Sequence, residues 1–423
     1  MNEDMQDFPR WRRDVALFLT GQTISLFGSM IVQYAIMWHL TLLTGSGTVL
    51  ALAGVLGFVP QAIVSIFGGV WADRVNRKLL IIGADGTIAV TTLVLAVLML
   101  TGFDSLWLIY VTLAIRSAGA GVQTPAVSAF IPQITPERKL MRVNGINNSV
   151  QPAMMLIAPA IAGAILANMS IVTVFLIDVV TAVIGIAFMI AIPVRRAVTR
   201  AGDDLPGYFD DLVEGARYTF RHELVRWVLV FFAVMMLLAA APSYVTVLII
   251  TRTFDGGVLE LTINELAFSL GMIIGGSIQA VAAARWNRVL AMMIGGMATA
   301  LLCIALGLGP DLLAFYALML GAGISVSFFS TPGMTLLQEQ VEKDRQGRVF
   351  GFVSIVTAVA MPVGMAISGP LADVVSAETV IVVAGVLMVV IVAILTAVPS
   401  GRRAIHAGKA PQDPPRNEDD FPV

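Results

Sequence analysis

Ionisable side chains lie deep inside long apolar stretches of this sequence, where a charge is costly. Arg116 stands about ten residues, hence roughly 15 Å along a helix, from the start of its stretch. Asp178 has a similar depth in a later stretch, and Asp85 lies in an earlier one. Burial favours a neutral acid, a neighbouring arginine favours the carboxylate, and a proton carrier uses that competition. We therefore predict that Asp178 or Asp85 exchanges a proton near Arg116, with a structural ion pair as the alternative.

Other polar residues suggest binding rather than proton exchange. Gln22, Ser25, Ser29 and Gln33 follow helical spacing and share one face of the first apolar stretch. Such a stripe can contact a substrate or form hydrogen bonds between helices, and the sequence does not separate the two. Glu265, near one end of its stretch, is either a further proton-coupling candidate or a solvated acid at the rim.

The stretches that must position these residues are membrane-spanning helices. The chain has 423 residues, of which 57% are hydrophobic and 13% charged, with a mean hydropathy of +0.87. Continuous apolar runs of about 20 residues span a bilayer as helices. We predict an all-α membrane protein with twelve spans. They cover residues 15–40, 48–71, 79–102, 105–130, 142–167, 171–193, 225–251, 262–284, 289–308, 311–337, 348–374 and 378–398.

Positive charge predicts the orientation of these spans. All but two of the 26 Lys and Arg residues fall at one side of the membrane if the N-terminus is cytoplasmic. The exceptions are Arg252, in a loop on the other side, and Arg116. We therefore expect a multi-pass protein of the cytoplasmic membrane with both termini in the cytoplasm.

The longest connection divides the chain into two halves. We predict a cytoplasmic N-terminal segment (1–14), a six-helix bundle (15–193), a cytoplasmic linker (194–224), a second six-helix bundle (225–398) and a disordered cytoplasmic tail (399–423). Within the linker, residues 209–222 are amphipathic and predict a helix along the inner surface. Short motifs recur between the halves, such as Arg74-Val75-Asn76-Arg77 and Arg285-Trp286-Asn287-Arg288. Duplicated halves indicate a transporter with its site at their interface.

Several functional classes are excluded by what the sequence lacks. A net charge of −2 excludes a basic nucleic-acid footprint. A phosphate-binding Gly-x-x-x-x-Gly-Lys-Ser/Thr loop is absent, and three histidines and one cysteine are widely scattered. We therefore expect that the protein is not an enzyme, has no catalytic residues and binds neither a cofactor nor a metal. The expected partners are the lipid bilayer, protons and a small amphipathic substrate, and we expect a monomer.

The turn after the second span resembles the signature loop of the major facilitator superfamily. The matching residues are Gly69, Asp73, Arg74, Arg77 and Lys78. Asn76 stands where that family usually has glycine, and we expect the turn to be kept because asparagine tolerates a left-handed backbone. The resemblance implies that the loop acid locks the two halves on the cytoplasmic side. In the second half Ala284 replaces the acid, so the resemblance implies gating by Asp73 alone.

A closer resemblance covers nearly the whole chain. Gly21-Gln22, Ile115-Arg116-Ser117, Thr124-Pro125-Ala126 and Gly347-Arg348-Val349-Phe350 are similar to the bacterial macrolide-efflux branch of drug:proton antiporters. This resemblance implies alternating-access export of amphipathic drugs driven by inward proton flow. Export of another amphiphile, such as a siderophore or lipid, is the first alternative, and a non-transporting membrane sensor or subunit is the second.

The resemblance also implies positions for the substrate cavity and a helix bend. First and fourth spans of each half line the cavity in that superfamily, which implicates seven residues here: Gln22, Ser29, Gln33, Tyr34, Met236, Tyr244 and Phe328. The fifth-span antiporter pattern is partly kept, with Pro159 and Gly163 matching and two of its glycines replaced by alanine. These two residues are implied to bend that helix.

Overall fold

The computed structural model describes residues 10–193, 208–282, 287–309, 311–342 and 345–407, without the side chains of residues 70, 73, 208–212, 282, 406 and 407. The elements of this part are long helices. They are α1 (Trp11–Thr44), α2 (Gly47–Arg74), α3 (Arg77–Leu100), α4 (Leu106–Ile134), α5 (Glu137–Asn168), α6 (Ile171–Ile190), α7 (Tyr208–Arg221), α8 (Glu223–Arg252), α9 (Val258–Ala282), α10 (Arg288–Gly307), α11 (Leu312–Gln340), α12 (Gln346–Val374), α13 (Ala377–Ala397) and α14 (Pro399–Ala407).

Twelve of these helices are long and apolar enough to cross a membrane, which confirms the predicted spans. Their ends differ from the prediction by at most five residues, the largest difference being at the start of α5. There Glu137 and the bases that follow it extend the helix before its apolar part begins. Hydropathy marks only the apolar segment, whereas backbone hydrogen bonding continues into charged turns.

The twelve spans form two bundles with the same internal packing. In the first, α2 packs on α4 and α1 on α6; in the second, α9 packs on α11 and α8 on α13. The bundles meet mainly where α2 lies against α12 and α5 against α9. A large apolar core draws buried residues from both bundles. The predicted all-α fold with two similar halves is confirmed.

We name the two ends of the molecule by their connections. The linker side carries the start of α1, the helix α7 and the end of α13, whereas the short-loop side carries the turn at Gly45 and the end of α8 at Arg252. The helix α7 packs against α12, where Glu214 forms an ion pair with Arg348 at 2.7 Å. The tail was expected to be disordered from residue 399, but its first part, Pro399–Ala407, forms α14. Residues 408–423 lie outside the described part.

The expectation of a left-handed backbone at Asn76 was wrong. Its backbone is extended (φ −60°, ψ 110°), and its side chain accepts a hydrogen bond from the backbone N–H of Lys78. Asn287 does the same at the start of α10, where it accepts from Leu290. The turn is kept because asparagine caps the following helix, not because its backbone turns left-handed.

Removing the Asn76 cap is expected to destabilise the folded protein moderately. Asn76→Ala loses the side-chain acceptor and should lower the free energy of unfolding by about 1 kcal/mol, whereas Asn76→Gly should cost only a few tenths of that. Thermal unfolding of the purified variants measures both. A larger loss with glycine than with alanine would contradict the capping role.

The middle of α2 is irregular in its hydrogen bonding. Pro60 lies inside the helix and has no N–H to donate to the preceding turn. The next backbone N–H, of Gln61, donates sideways to the Ser117 hydroxyl of α4 at 2.9 Å. Beyond this point Gly68 and Gly121 bring α2 and α4 into close backbone contact. The linker-side part of α2 is thus fastened to α4 within the first half.

Candidate functional site

A buried ion pair lies in the core of the first half. Arg116 of α4 donates through Nη1 to the Asp178 carboxylate of α6 and to the Thr92 hydroxyl of α3. The side chains of Arg116 and Asp178 are only 9% and 1% exposed. Ser29 of α1 donates to Asp178 Oδ1 at 3.3 Å. The structure therefore brings together the predicted partners, and four helices converge on them; their role in proton coupling stays a prediction.

Gly28 explains why this approach is possible. A Cβ atom at Gly28 would overlap the Thr181 hydroxyl oxygen of α6 and lie 3.1 Å from both Cα and Oδ1 of Asp178. A side chain at this position would therefore have to displace Thr181 and push slightly against the backbone of α6. The glycine therefore allows α1 to contact α6 at the level of the ion pair.

Asp85 occupies a second polar cluster beside the first. Its Oδ1 accepts hydrogen bonds from Ser25 Oγ at 3.1 Å and from Gln123 Nε2 at 2.6 Å, and Gln123 also contacts Gln22 at 3.4 Å. Asp85 is 2% exposed, and its Oδ2 has no hydrogen-bond partner among the described residues. A buried carboxyl oxygen that lacks a hydrogen-bond donor costs less free energy in the protonated, neutral acid than in the ionised one.

Only one of the two acids is paired with the arginine. In the described structure Arg116 donates to Asp178 and Thr92. Asp85 has polar neighbours from α1 and α4 but forms no ion pair within the described part of the chain. The interior of the first half therefore holds one acid more than it can neutralise.

The polar stripe of α1 is divided between these clusters. Gln22 and Ser25 belong to the Asp85 cluster and Ser29 to the ion pair, so they form hydrogen bonds between helices. Gln33 instead points toward α2, with Nε2 at 3.5 Å from where a Cβ of Gly57 would lie. Substrate contact, the other alternative for this stripe, stays a prediction.

Three further candidates lie on helices that border the other half. Tyr244 of α8 has its Cε1 3.5 Å from where a Cβ of Gly54 in α2 would lie, and the Tyr34 ring of α1 lies 5.8 Å from that of Trp38. Glu265 stands on α9 between Thr262 and Ser269, which both contact α5. Among the remaining cavity candidates, Met236 packs partly buried against the large core, and Phe328 lies against Gly295 of α10. Pro159 and Gly163 are both buried in the continuous helix α5, and Gly163 contacts Thr262 of the second half.

The signature turn is held within the first half. Lys78 Nζ donates to the carbonyl oxygens of Ile190 and Ile192 at 2.9 and 2.7 Å, at the end of α6. Arg77 Nε donates to the carbonyl of Ala72 at 2.7 Å. Arg74 is exposed, and nothing lies within contact range of a Cβ added at Gly69. The Asp73 side chain lies outside the described part, so its gating role stays a prediction.

A network that sequence reasoning missed joins the halves on the short-loop side. Asp373, at the end of α12, accepts hydrogen bonds from the backbone N–H groups of Gly47 and Thr48 at 2.7 and 2.8 Å. The hydroxyls of Ser46 and Thr48 donate to it at 2.9 and 2.7 Å. Asp373 thus caps the first turn of α2, a helix of the other half.

Arg252 completes this network, which we call the Asp373 latch (Ser46, Gly47, Thr48, Arg252 and Asp373). The Nη2 atom of Arg252 lies 2.5 Å from Asp373 Oδ1, and the Nε of Arg252 donates to the carbonyl of Gly45 in the first half at 2.7 Å. The one signal in the sequence was the isolation of Arg252 on the short-loop side.

Contacts between the halves indicate which side is closed. The Asp373 latch, the close approach of Gly47 to Gly369 and the contact of Gly163 with Thr262 lie on the short-loop side. Ser269 donates to the Met155 carbonyl at 3.2 Å near the middle of the bundle. The hydrogen bonds and glycine contacts that the structure describes between the two bundles thus hold them together from the middle to the short-loop side.

A family comparison accounts for this arrangement. The family model of the Major Facilitator Superfamily matches residues 17–310 and 247–418. The chain belongs to the Major Facilitator Superfamily. As a member of the superfamily, it is a membrane transporter rather than an enzyme by family and fold.

Individual proteins of the superfamily show which branch the chain is similar to. Macrolide efflux protein A of Streptococcus pyogenes is 29% identical over 87% of this chain and 92% of its own length. The protein of the same name from Enterococcus faecalis is 28% identical over 76% of this chain and its full length. A bacterial homologue of the lysosomal transporter Spinster, solved in an inward-facing and unoccupied conformation, has the same fold, with a TM-score of 0.70, 15% identity and coverage of 95% and 98%. The resemblance to the macrolide-efflux branch is confirmed.

Proposed function

We propose that this major facilitator protein exports amphipathic, macrolide-like compounds across the cell membrane in exchange for protons. The observation that carries the coupling is the charge network of the first half, in which one arginine is paired with only one of two buried acids. Asp178 is neutralised by Arg116, whereas Asp85 has only hydroxyl and amide neighbours. A buried acid without a cation is stabilised when it holds a proton, which is what a carrier needs in one of its two states.

The closed short-loop side supports alternating access. With the linker side cytoplasmic, as the distribution of positive charge indicates, the described conformation is sealed toward the outside by the Asp373 latch. Release of the latch would let the halves rock and expose the space between them to the other side. The chemical nature of the exported compound is supported by the macrolide-efflux relatives.

Everted membrane vesicles test the exchange. Vesicles that contain the wild-type protein and hold an acidic interior should lose part of their proton gradient when erythromycin is added, as followed with a pH-sensitive dye. Asp85→Asn should abolish this response because its amide cannot bind the proton. Glu342→Gln, which changes an acid that is 65% exposed, should respond like the wild type.

Two results would contradict the proposal. Absence of proton release with erythromycin and with every other amphiphile tested would exclude antiport. A resistance profile in a host that lacks its own pumps would identify the compound, and protection against siderophores or lipids but not macrolides would favour the alternative substrate.

A further inference from the structure

The described bases on the linker side of the second half fall into two groups. One group forms ion pairs with acids, namely Arg288 with Glu339, Arg345 with Glu342, Arg348 with Glu214 and Arg403 with Glu223. The other group is exposed and forms no ion pair within the described part of the chain; its members are Arg217, Arg221, Arg226 and Arg402. The positive charge that no acid neutralises is therefore concentrated on α7, the start of α8 and α14.

The three elements that carry these unpaired bases are in contact. Both α7 and α14 pack against α8. Arg226 Nη1 donates to the Phe220 carbonyl at the end of α7 at 2.9 Å, and Glu223 at the start of α8 accepts from Arg403 of α14 at 2.5 Å. The unpaired bases thus surround the junction of α7 and α8. We call this region the junction surface (Arg217, Phe220, Arg221 and Arg226).

One face of α7 is fixed on the protein, and the opposite face is uncovered. Tyr218 and Thr219 are buried, and a Cβ at Gly215 would overlap the backbone carbonyl of Arg348 in α12. Residues at spacings of three and four share one face of a helix. The exposed residues at such spacings on the other face are Val213, Arg217, Phe220 and Arg221. Apolar and basic side chains therefore stand together on the uncovered face of α7.

Phe220 places this face at the edge of the bilayer. Its side chain is 56% exposed, and its ring centroid lies 6.1 Å from that of Phe352. Phe352 is six residues into α12, roughly 9 Å from its start, and the next charged residue of that span is Asp373. An exposed ring at this level contacts the first part of the acyl chains, and the arginines on either side of it reach the headgroups.

We propose that the junction surface binds an anionic phospholipid of the leaflet on the linker side. Each guanidinium group presents paired N–H donors that fit two oxygens of a phosphate, and Phe220 covers the beginning of an acyl chain. The acids of α7 do not oppose this binding: Asp210 and Asp211 lie in its first turn, and Glu214 is bonded to Arg348. The inference concerns the lipid surroundings and does not depend on the transported compound.

A lipid fits this surface better than an acidic soluble protein does. The bases are interleaved with Phe220 and Val213, which are both more than half exposed. Because Phe220 lies beside the apolar part of α12, a soluble partner would leave this ring against the membrane and contact only the arginines. A phospholipid brings a phosphate and an apolar chain in the order in which the arginines and the ring present themselves.

Native mass spectrometry of the purified full-length protein tests this surface. Dioleoyl phosphatidylglycerol and dioleoyl phosphatidylcholine have the same acyl chains and differ in headgroup charge. Wild type should bind the first phosphatidylglycerol more tightly than the first phosphatidylcholine. Arg217→Gln/Arg221→Gln should weaken phosphatidylglycerol binding about tenfold and change phosphatidylcholine binding little, because each base near the membrane surface adds a few-fold to the attraction for an anionic lipid.

Matched controls make the result specific. Arg12→Gln/Arg13→Gln removes two exposed arginines from the linker side of the first half and should bind both lipids like wild type. Arg217→Lys/Arg221→Lys keeps the charge and should lose less affinity than the glutamine variant. Glycerol 3-phosphate carries a phosphate without acyl chains and should not displace phosphatidylglycerol at equal concentration. Size-exclusion profiles and thermal unfolding identify variants that fail to fold.

Four outcomes would overturn the inference. A wild-type protein without preference for phosphatidylglycerol would exclude the site. An equal loss in Arg12→Gln/Arg13→Gln would show a general effect of charge on this side. Displacement by glycerol 3-phosphate would indicate a site for free phosphate compounds. A preference that emerges only in Glu418→Gln/Asp419→Asn/Asp420→Asn would assign the surface to the acidic tail of the chain instead.

Discussion

Arg116→Gln is expected to lower the free energy of unfolding by about 3–5 kcal/mol, because it leaves the Asp178 carboxylate buried without its cation. Asp178 is 1% exposed, and the one other donor to it among the described residues is Ser29 at 3.3 Å. Loss of the arginine also removes the donor to Thr92. The apparent unfolding temperature of the purified protein should fall markedly.

A second variant separates the ion pair from simple damage to packing. In Arg116→Gln/Asp178→Asn both charges are gone, and most of the lost stability should return because no buried charge remains. The pair between Arg288 and Glu339 is more exposed, at 17% and 37%, so Arg288→Gln should cost less than about 1 kcal/mol. A double variant as unstable as Arg116→Gln alone would contradict the pairing.

Asp373→Asn is expected to open the short-loop side. The substitution weakens the ion pair to Arg252 and the cap on Gly47 and Thr48. Because Asp373 is 25% exposed and its partner 34%, solvent screens the interaction. We estimate a loss of about 1–2 kcal/mol from the closed state, a shift of roughly tenfold in the conformational equilibrium.

Spin labels at the exposed positions Leu43 and Val375 would report this opening, since they lie on opposite halves beside the latch. Their distance distribution should gain a longer component in Asp373→Asn. Glu378→Gln is the matched control, because Glu378 bonds to Thr253 within the second half. Unchanged distances in Asp373→Asn, or an equal change in Glu378→Gln, would exclude the latch as a gate.

The sequence predicted what depends on local composition. Membrane spans follow from apolar runs, and Arg116 required a buried acid, which the structure provides in Asp178. Both conclusions need only the cost of charge and of unpaired backbone in lipid. Asn76 shows the limit of such reasoning, since asparagine suits both a left-handed turn and a helix cap and only the backbone angles distinguish them.

The Asp373 latch could not be predicted because it depends on the orientation of two halves. The hydrogen bonds from Ser46, Gly47 and Thr48 to Asp373 join residues that are 325 to 327 positions apart. Asp373 by itself reads as a polar residue at the end of a span.

The irregular centre of α2 has a mechanical consequence. On one side of Pro60 the helix is tied to α12 through Gly47 and Asp373, and on the other it is tied to α4 through Gly68 and Gly121. The two parts of α2 are thus held by different neighbouring helices, with the proline between them. The part of α2 before Pro60 is also bonded to its own bundle, since the Tyr110 hydroxyl of α4 donates to the Val49 carbonyl at 3.3 Å. Any separation of the halves at the Asp373 latch therefore acts on a segment that both bundles hold, and the missing N–H at Pro60 makes the middle of α2 the place where this helix bends most easily.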